Sequence, residues 1–211
     1  IGSGSTVSDC TAYDNGANGI STGDGSMITA CASRDNNTNG IVVGFGGTVT
    51  GCSSNANSAI GILTGGASTV QGCTANTNGT QGIDVQNGTV VTGSAARANV
   101  LNGIRATFQC TIANNACSSN GSGGDGAGIL VTGSGNRIDG NNCGSADRGI
   151  DVDVGGNIIV KNTCTGNTVN WSIVAGNSFL VVQAPVTASV FNGNAGGGGY
   201  GTTDPNANIT F

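Results

Sequence analysis

The chain repeats itself at a fixed interval, and this repeat constrains the fold more than any other feature of the sequence. Between Thr6 and Gly88 nearly the same stretch occurs four times, and an aliphatic residue, a cysteine and a Gly-Ile pair return in each copy. A period of about 21 residues indicates stacked supersecondary units, because one such unit is too small to bury a core alone. An unbroken series of these units predicts a single solenoid.

The pattern inside each repeat indicates strands and turns. Each copy contains two short segments of alternating apolar and polar residues, which is typical of β-strands, and these are separated by Asn and Gly at positions typical of turns. Strands that pair in register with their copies one turn later form a parallel β-helix. The sequence therefore predicts an all-β parallel β-helix solenoid of about eight coils of ~21 residues over residues 1–182, with a C-terminal capping tail at 183–211. One interval, between Ile112 and Ile138, is longer than the others and places a Gly-rich insertion at 121–128.

Charge and composition exclude several classes of function. The formal net charge is −5 with only six Lys and Arg residues, whereas a nucleic-acid partner requires a basic stripe. No apolar run approaches the ~20 residues of a membrane span, so membrane insertion is not expected. There is one cysteine per repeat and no histidine, which argues against a zinc site. We therefore expect neither a metal nor a cofactor.

Two further columns of residues are expected to support the coils. Stacked cysteines would have parallel Cβ vectors, which disfavours disulfides, so we expect buried free thiols, with Cys110 an exception near a turn. The cysteine columns comprise Cys10, Cys31, Cys52, Cys73, Cys117, Cys143 and Cys164. Asparagines that recur eight positions after the aliphatic mark are expected to form a hydrogen-bonded ladder. This ladder comprises Asn15, Asn36, Asn57, Asn78, Asn99 and Asn120, is interrupted at Ala146 and resumes at Asn167.

Two motifs carry a resemblance to a known family. The pattern I-x-x-N-x-C-x-x-N at 112–120, with G-I-x-V at 128–131, resembles the parallel β-helix repeat of the pectin-lyase-like superfamily. The whole chain is similar to secreted bacterial proteins known as right-handed parallel β-helix repeat-containing proteins. This resemblance implies a right-handed coil, a secreted or cell-surface location and, in some members, cleavage of polysaccharides by clustered Asp and His or by an Arg or Lys base beside calcium-binding acids.

The candidate chemical residues lie in one outward column, between the inward Ile and Val of each repeat. It reads Ser21, Val42, Leu63, Asp84, Arg105, Leu130, Asp151 and Val174. Asp84 and Arg105 are neighbours there, and Asp151 and Asp153 share a strand face about 7 Å apart, within the span used by inverting glycosidases. A surface ion pair and a solvated acidic spot with weak Ca²⁺ affinity are the simpler interpretation, since two carboxylates are few for calcium. Trp171 and Tyr200 are candidate sugar platforms.

The main functional expectation rests on apolar side chains and strand edges that are predicted to be exposed. Val42, Leu63 and Leu130 place apolar side chains in the outward column, and such patches mark contacts more often than chemistry. A first coil that opens at Gly2 to Thr6 would present unpaired strand edges to another chain. We therefore expect a non-catalytic, extracellular structural protein that associates with itself as an oligomer or filament. The alternative is a protein that binds or cleaves a polysaccharide.

Overall fold

The computed structural model describes residues 1–183 and 204–210. Within these residues the chain forms 27 strands and no helix, and all strand pairs are parallel. The strands, numbered in chain order, make three sheets, A, B and C, which run the length of the molecule as its three faces. The prediction of an all-β right-handed parallel β-helix of about eight coils is confirmed.

Sheet A contains the first strand of each coil. Its strands, in spatial order, are β1 (Thr6–Ser8), β4 (Met27–Thr29), β7 (Thr48–Thr50), β10 (Thr69–Gln71), β13 (Val90–Thr92), β16 (Thr111–Ala113), β19 (Arg137–Asp139), β22 (Ile158–Val160) and β25 (Ser178–Phe179). We number the coils from these strands, so coil 1 comprises β1 to β3 and coil 7 comprises β19 to β21.

Sheet B contains the second strand of each coil. Its strands, in spatial order, are β2 (Thr11–Tyr13), β5 (Ala32–Arg34), β8 (Ser53–Asn55), β11 (Thr74–Asn76), β14 (Ala95–Arg97), β17 (Ala116–Ser118), β20 (Asn142–Gly144), β23 (Thr163–Thr165), β27 (Asn208–Thr210) and β26 (Val181–Gln183). The returning strand β27 therefore lies between β23 and β26. Residues 184–203 and Phe211 of the expected capping tail, Tyr200 included, lie outside the described residues.

Sheet C contains the third strand of each coil. Its strands, in chain order, are β3 (Ile20–Thr22), β6 (Ile41–Val43), β9 (Ile62–Thr64), β12 (Ile83–Val85), β15 (Ile104–Ala106), β18 (Ala127–Val131), β21 (Arg148–Val152) and β24 (Val169–Ile173). The prediction of two alternating segments per repeat was wrong by one strand. Most strands have only three residues, and each strand of sheets A and B directs only its middle side chain inward. One inward residue between two turns is too short a pattern to be recognised as a strand in the sequence.

The core is a stack of identical or similar side chains. Sheet A contributes one large aliphatic residue per coil, such as Ile112. Sheet C contributes an inward Ile in most coils, followed by Val, Thr or Ala, as in Ile83 with Val85 and Ile62 with Thr64. Sheet B contributes a small residue, such as Ala96 or Cys117. Large side chains on two faces therefore oppose small ones on the third, which allows the close packing typical of protein interiors.

The three corners are built in the same way. At each corner a residue with positive φ turns the chain, and, except at Gly47 and Ala146, the side chain that follows it points inward and bonds to the corner backbone. In coil 3 these pairs are Gly51 (φ 60) with Cys52, Ala56 (φ 52) with Asn57, and Ala67 (φ 53) with Ser68. The inward residues of successive coils form three lanes, one at each corner. Because a buried corner would otherwise hold unpaired backbone groups, these lanes supply the missing partners.

The lanes explain where the cysteines and asparagines lie. All eight cysteines are free thiols, and every one except Cys10 is buried. Cys10 was expected to be buried but is exposed, because coil 1 stacks on one neighbouring coil only. Asn15 is exposed as well, yet it donates to Asn36 Oδ1 from its N–H and its Nδ2 as the ladder requires. Cys110 lies apart from the other cysteines, at the turn between sheets C and A, where it belongs to the lane of that corner and its N–H donates to Asn136 Oδ1 at 2.7 Å. Cys117, Cys143 and Cys164 stack in register on the inner face of sheet B.

Candidate functional site

The outward column of sheet C follows the predicted order with one change. Strand register places Ser21, Val42, Leu63, Asp84, Arg105, Leu130, Asp151 and Ser172 in succession. Ser172 takes the place expected for Val174, because Trp171 rather than Ile173 pairs with Ile150 and keeps the regular interval of the repeat. Trp171 is half-buried and packs against the core. It therefore fills the last complete coil and does not form an open sugar platform.

Asp84 and Arg105 form an ion pair on adjacent strands of this face. Arg105 Nη1 donates to Asp84 Oδ2 at 3.0 Å. The Asp84 side chain is only 5% exposed, whereas that of Arg105 is 36% exposed. Asp84 Oδ1 is buried and makes no hydrogen bond within the described part of the chain. Burial raises the pKa of Asp84 above its usual value, and the Arg105 charge opposes this shift. The pair thus holds an almost completely buried carboxyl group beside an arginine that is partly exposed on the same face.

A second cluster lies two strands further along the face, around Arg148. Arg148 Nε lies 2.6 Å from Asp151 Oδ2, although this contact is not aligned as a hydrogen bond. Arg148 Nη2 donates to Asp125. The pKa of Asp153 is raised by burial and then by the negative charge of Asp151, while Arg148 lowers it. The sequence predicts Asp151 from the outward column and Asp153 from the same strand face, but it misses Arg148 and Asp125, which have neither relation to the column.

The insertion brings Asp125 to this cluster. Ile104 pairs with Ile129, four positions later than the repeat requires, and Thr111 pairs with Arg137, five positions later. Four of the five extra positions therefore lie in the loop after Asn120, and the fifth lies between β18 and β19 rather than within 121–128. The loop is held in place because Gly126 N–H donates to Asp147 Oδ2 at 3.0 Å.

An open groove runs beside the insertion loop, at the corner between sheets B and C. It has a volume of about 430 Å³ and is polar along much of its wall. Its lining includes Asn120, Ser122, Ser145, Ala146, Asp147 and Thr168. A second groove of about 330 Å³ adjoins it at Ser145 and extends over sheet B as far as Ala116 and Asn142. Together they give coils 6 to 8 a continuous concave surface next to the Arg148 cluster.

The remaining expectations concern apolar contacts, metals and membranes. Val42, Leu63 and Leu130 point outward in sheet C and are half-buried rather than fully exposed. Within residues 1–183 and 204–210, no three or more His, Cys, Asp or Glu side chains gather in a way that could hold a metal ion. The same residues include no helix of the length and apolarity needed to cross a membrane.

Solved structures with this fold include enzymes that act on polysaccharides. The chain resembles the A-module of the Azotobacter vinelandii mannuronan C-5 epimerase AlgE4 with a TM-score of 0.74 and 16% identity, over 82% of this chain and 56% of that one. It resembles the A-module of AlgE6 from the same organism with a TM-score of 0.72 and 14% identity, over 97% and 57% of the two chains. The pectate lyase Pel9A gives a TM-score of 0.64 and 19% identity, over 76% and 50%.

These similarities establish a shared fold over part of the length of each similar structure. The chain spans little more than half the length of the epimerase modules and half that of the lyase. No curated protein matches the chain. The family model for the right-handed β-helix region matches residues 1–142, which is most of the sequence. The chain therefore belongs to the right-handed β-helix family.

Proposed function

We propose that this chain binds a polysaccharide along the outer face of sheet C. The observation that carries the proposal is the order of side chains in the outward column, where apolar residues alternate with ion pairs. Leu63 precedes the Asp84–Arg105 pair, and Leu130 separates that pair from Asp151. The residues expected to mediate self-association and those expected to do chemistry thus form one surface.

The alternation matches the chemistry of a sugar chain. A pyranose ring has an apolar face of C–H groups and an edge of hydroxyl groups, so it is bound by apolar side chains together with donors and acceptors. An Arg guanidinium group donates several hydrogen bonds in a fixed planar geometry, and a carboxylate accepts several. Ion pairs hold these groups in place before the ligand arrives, which lowers the entropic cost of binding.

The charge of the face favours a neutral polysaccharide. Arg105 and Arg148 contribute +2, while four carboxylates contribute −4, which leaves −2 if all are ionised. These carboxylates are Asp84, Asp125, Asp151 and Asp153. A polyuronate would meet net repulsion here, because like charges across an interface weaken binding. The named substrates of the similar structures, mannuronan and pectate, support a polysaccharide partner in general.

Calorimetric titration tests the proposal with defined sugars. The probes are the neutral oligosaccharides cellohexaose, xylohexaose and mannohexaose, together with hexagalacturonate as the acidic comparison. We expect a neutral probe to bind, and Arg105→Ala or Arg148→Ala to weaken it by about tenfold, as expected for loss of charge-assisted hydrogen bonds. Arg97→Ala is the matched control, since Arg97 points outward from sheet B. Absence of binding to every probe, or equal loss in the control, would contradict the proposal.

A second candidate, cleavage of the bound sugar, is supported by Asp84 alone. A buried carboxyl group with a raised pKa beside an arginine is a suitable proton donor or acceptor. Release of reducing ends or of unsaturated products from the same probes measures this activity. Cleavage would be lost in Asp84→Asn while binding is retained. If no product forms with any probe that binds, the chain is a binding protein only.

The structural hypothesis predicts a different use of the same column. If Val42, Leu63 and Leu130 mediate self-association, the protein should form oligomers or filaments that dissociate in Leu63→Ser. Light scattering and negative-stain microscopy measure this directly. A monomer at high concentration that binds an oligosaccharide would favour the polysaccharide proposal. An extracellular location suits either function, because structural filaments and polysaccharides both occur outside the cell.

A further inference from the structure

Two exposed phenylalanines lie in one column at the corner where the chain passes from sheet C to sheet A. Phe45 is 61% exposed and Phe108 is 46% exposed. In four successive coils, one backbone oxygen at this corner accepts from an N–H of the preceding coil at 2.7–2.9 Å, and these oxygens belong to Phe45, Gly66, Asn87 and Phe108. We call these four residues the corner column. It holds two of the three phenylalanines among the described residues, whereas incidental apolar side chains are scattered singly over a protein surface.

Each ring rests on a glycine of the following coil. A Cβ atom at Gly66 would lie 3.5 Å from Phe45 Cδ2 and Cε2, and one at Gly133 would lie 2.7 Å from Phe108 Cγ and Cδ1. Any other residue at Gly133 would therefore displace the ring. The backbone of Phe45 is also fixed, because its N–H donates to Asp24 Oδ1 at 2.8 Å. Rings that are supported in this way lose little freedom when a ligand covers them, which favours binding.

The surface between the two rings is uncharged and offers a hydrogen-bond donor. Corner residues 44–46, 65–67, 86–88 and 107–109 include no charged side chain. Asn87 Oδ1 accepts from Thr107 Oγ1 at 2.7 Å, while Asn87 Nδ2 makes no hydrogen bond to any residue that the structure describes. The face of an aromatic ring is negative and attracts C–H groups. Two such rings with an amide donor between them suit a neutral sugar chain, which has C–H faces and hydroxyl edges.

The distance between the rings suits an extended sugar chain. Neighbouring coils lie about 4.8 Å apart, so the three coil steps from Phe45 to Phe108 cover about 14 Å. In an extended β-1,4-linked polysaccharide, one pyranose residue advances by nearly the height of one coil. Sugar rings three residues apart therefore reach both phenylalanines at once, and a residue between them passes Asn87.

We propose that the corner column is a second saccharide-binding surface, specific for an extended neutral β-1,4-linked glucan whose sugar rings stack on Phe45 and Phe108. Successive residues of such a ribbon present alternate faces, so residues three apart present opposite ones. Both faces of a β-glucosyl ring consist of C–H groups, because its hydroxyl groups are equatorial. In a β-mannosyl ring the axial hydroxyl group at C2 covers one face, and one of the two phenylalanines would meet it. This surface is separate from the outer face of sheet C and does not depend on the function proposed for that face.

Calorimetric titration of the Arg105→Ala/Arg148→Ala double variant measures the corner column without the outer face of sheet C. We expect cellohexaose to bind this variant, and Phe45→Ala or Phe108→Ala, added to it, to weaken the affinity by about tenfold each, since one stacked ring is lost. Phe108→Tyr keeps the ring and should bind as tightly. Cellotriose, which is too short to reach both rings, and mannohexaose should bind about tenfold more weakly than cellohexaose. The phenylalanine variants are also made in the wild type, where the stoichiometry separates the two surfaces if the double variant does not fold.

Phe179→Ala is the matched control, because Phe179 is 47% exposed but lies at the end of sheet A. It should leave the affinity for cellohexaose unchanged. Absence of cellohexaose binding to the folded double variant, or an equal loss in Phe179→Ala, would refute the inference. Dissociation of an oligomer in Phe45→Ala would also refute it, since the corner column would then be a contact between copies of the chain. Equal affinity for cellohexaose and either of the other two sugars would refute stacking of a glucan on both rings. If the double variant and the wild type bind cellohexaose with the same affinity and stoichiometry, the outer face of sheet C binds no sugar, and the proposed function fails while the corner column stands.

Discussion

Replacement of Asn57 by Leu tests how much one position of the asparagine lane stabilises the fold. Asn57 is 1% exposed in the middle of the lane. Its Oδ1 accepts from the N–H and the Nδ2 of Asn36 at 3.2 and 2.8 Å. Its Nδ2 donates to Ser54 Oγ and Asn78 Oδ1, both at 3.0 Å. Leucine has a similar shape, so Asn57→Leu removes these bonds without leaving a large cavity.

The cost is determined by the groups that are left without a partner. Asn78 Oδ1 still accepts from the backbone N–H of residue 57 at 3.1 Å, and Ser54 Oγ still donates to Gly61 O at 2.7 Å. The Asn36 N–H and one Nδ2 hydrogen lose their only acceptor at that position. Each buried donor without a partner costs roughly 1–3 kcal/mol. For two donors we therefore expect the free energy of unfolding to fall by about 2–6 kcal/mol.

Urea unfolding followed by circular dichroism measures this change. The midpoint should fall while the slope m stays the same, because the surface exposed on unfolding is unchanged. Asn76→Leu is the control, because Asn76 lies in sheet B, which adjoins the lane, but its side chain is on the outer face of that sheet. It should alter the free energy of unfolding by no more than about 0.5 kcal/mol. An unchanged midpoint in Asn57→Leu would show that the lane does not stabilise the coils.

Three further predictions concern a corner, the thiols and Asp84. Thr77 is β-branched at φ 57, so Thr77→Gly should stabilise the protein by about 1 kcal/mol in urea unfolding; a lower midpoint would contradict this. In the native protein a thiol reagent should label Cys10 rapidly and the seven buried cysteines only after unfolding; rapid labelling of more than one thiol would contradict this. Because burial holds the folded pKa of Asp84 above its unfolded value, its ionisation lowers stability as the pH rises through the interval between those two values. The Tm of Asp84→Asn should therefore rise relative to that of the wild type as the pH increases above about 4, and a relative fall would refute this.

The fold was predictable because the repeat fixes the register of every coil. For example, Ile20 and Ile41 are equivalent positions of two successive repeats, and they are direct partners in sheet C. The lanes at the other two corners were less visible, because their identity changes along the chain. The lane between sheets A and B passes from Cys73 to Ser94 and Asn115, which accept equivalent backbone bonds with different atoms. A pattern search by residue type cannot connect such positions, whereas a search by spacing can.

The candidate site was less predictable than the fold, because a repeat describes what is the same in each coil. Asp84 and Arg105 were found because they occupy a column whose register the repeat supplies. Arg148 and Asp125 meet across a loop of irregular length, and no spacing in the sequence relates them. The burial of the Asp84 side chain was not predictable either, because it depends on the side chains that surround it in the fold.

Three departures from the repeat lie close together in coils 6 and 7, and this concentration bears on function. In a solenoid each coil contacts only its neighbours, so a departure in one coil is tolerated without affecting distant ones, and neutral departures should be scattered. Here the insertion after Asn120, the interruption of the asparagine ladder at Ala146 and the Arg148 ion pairs occur within two adjacent coils. Because natural proteins violate their own local rules mainly at functional sites, this concentration favours the surface around coils 6 and 7 as the place where a ligand is bound.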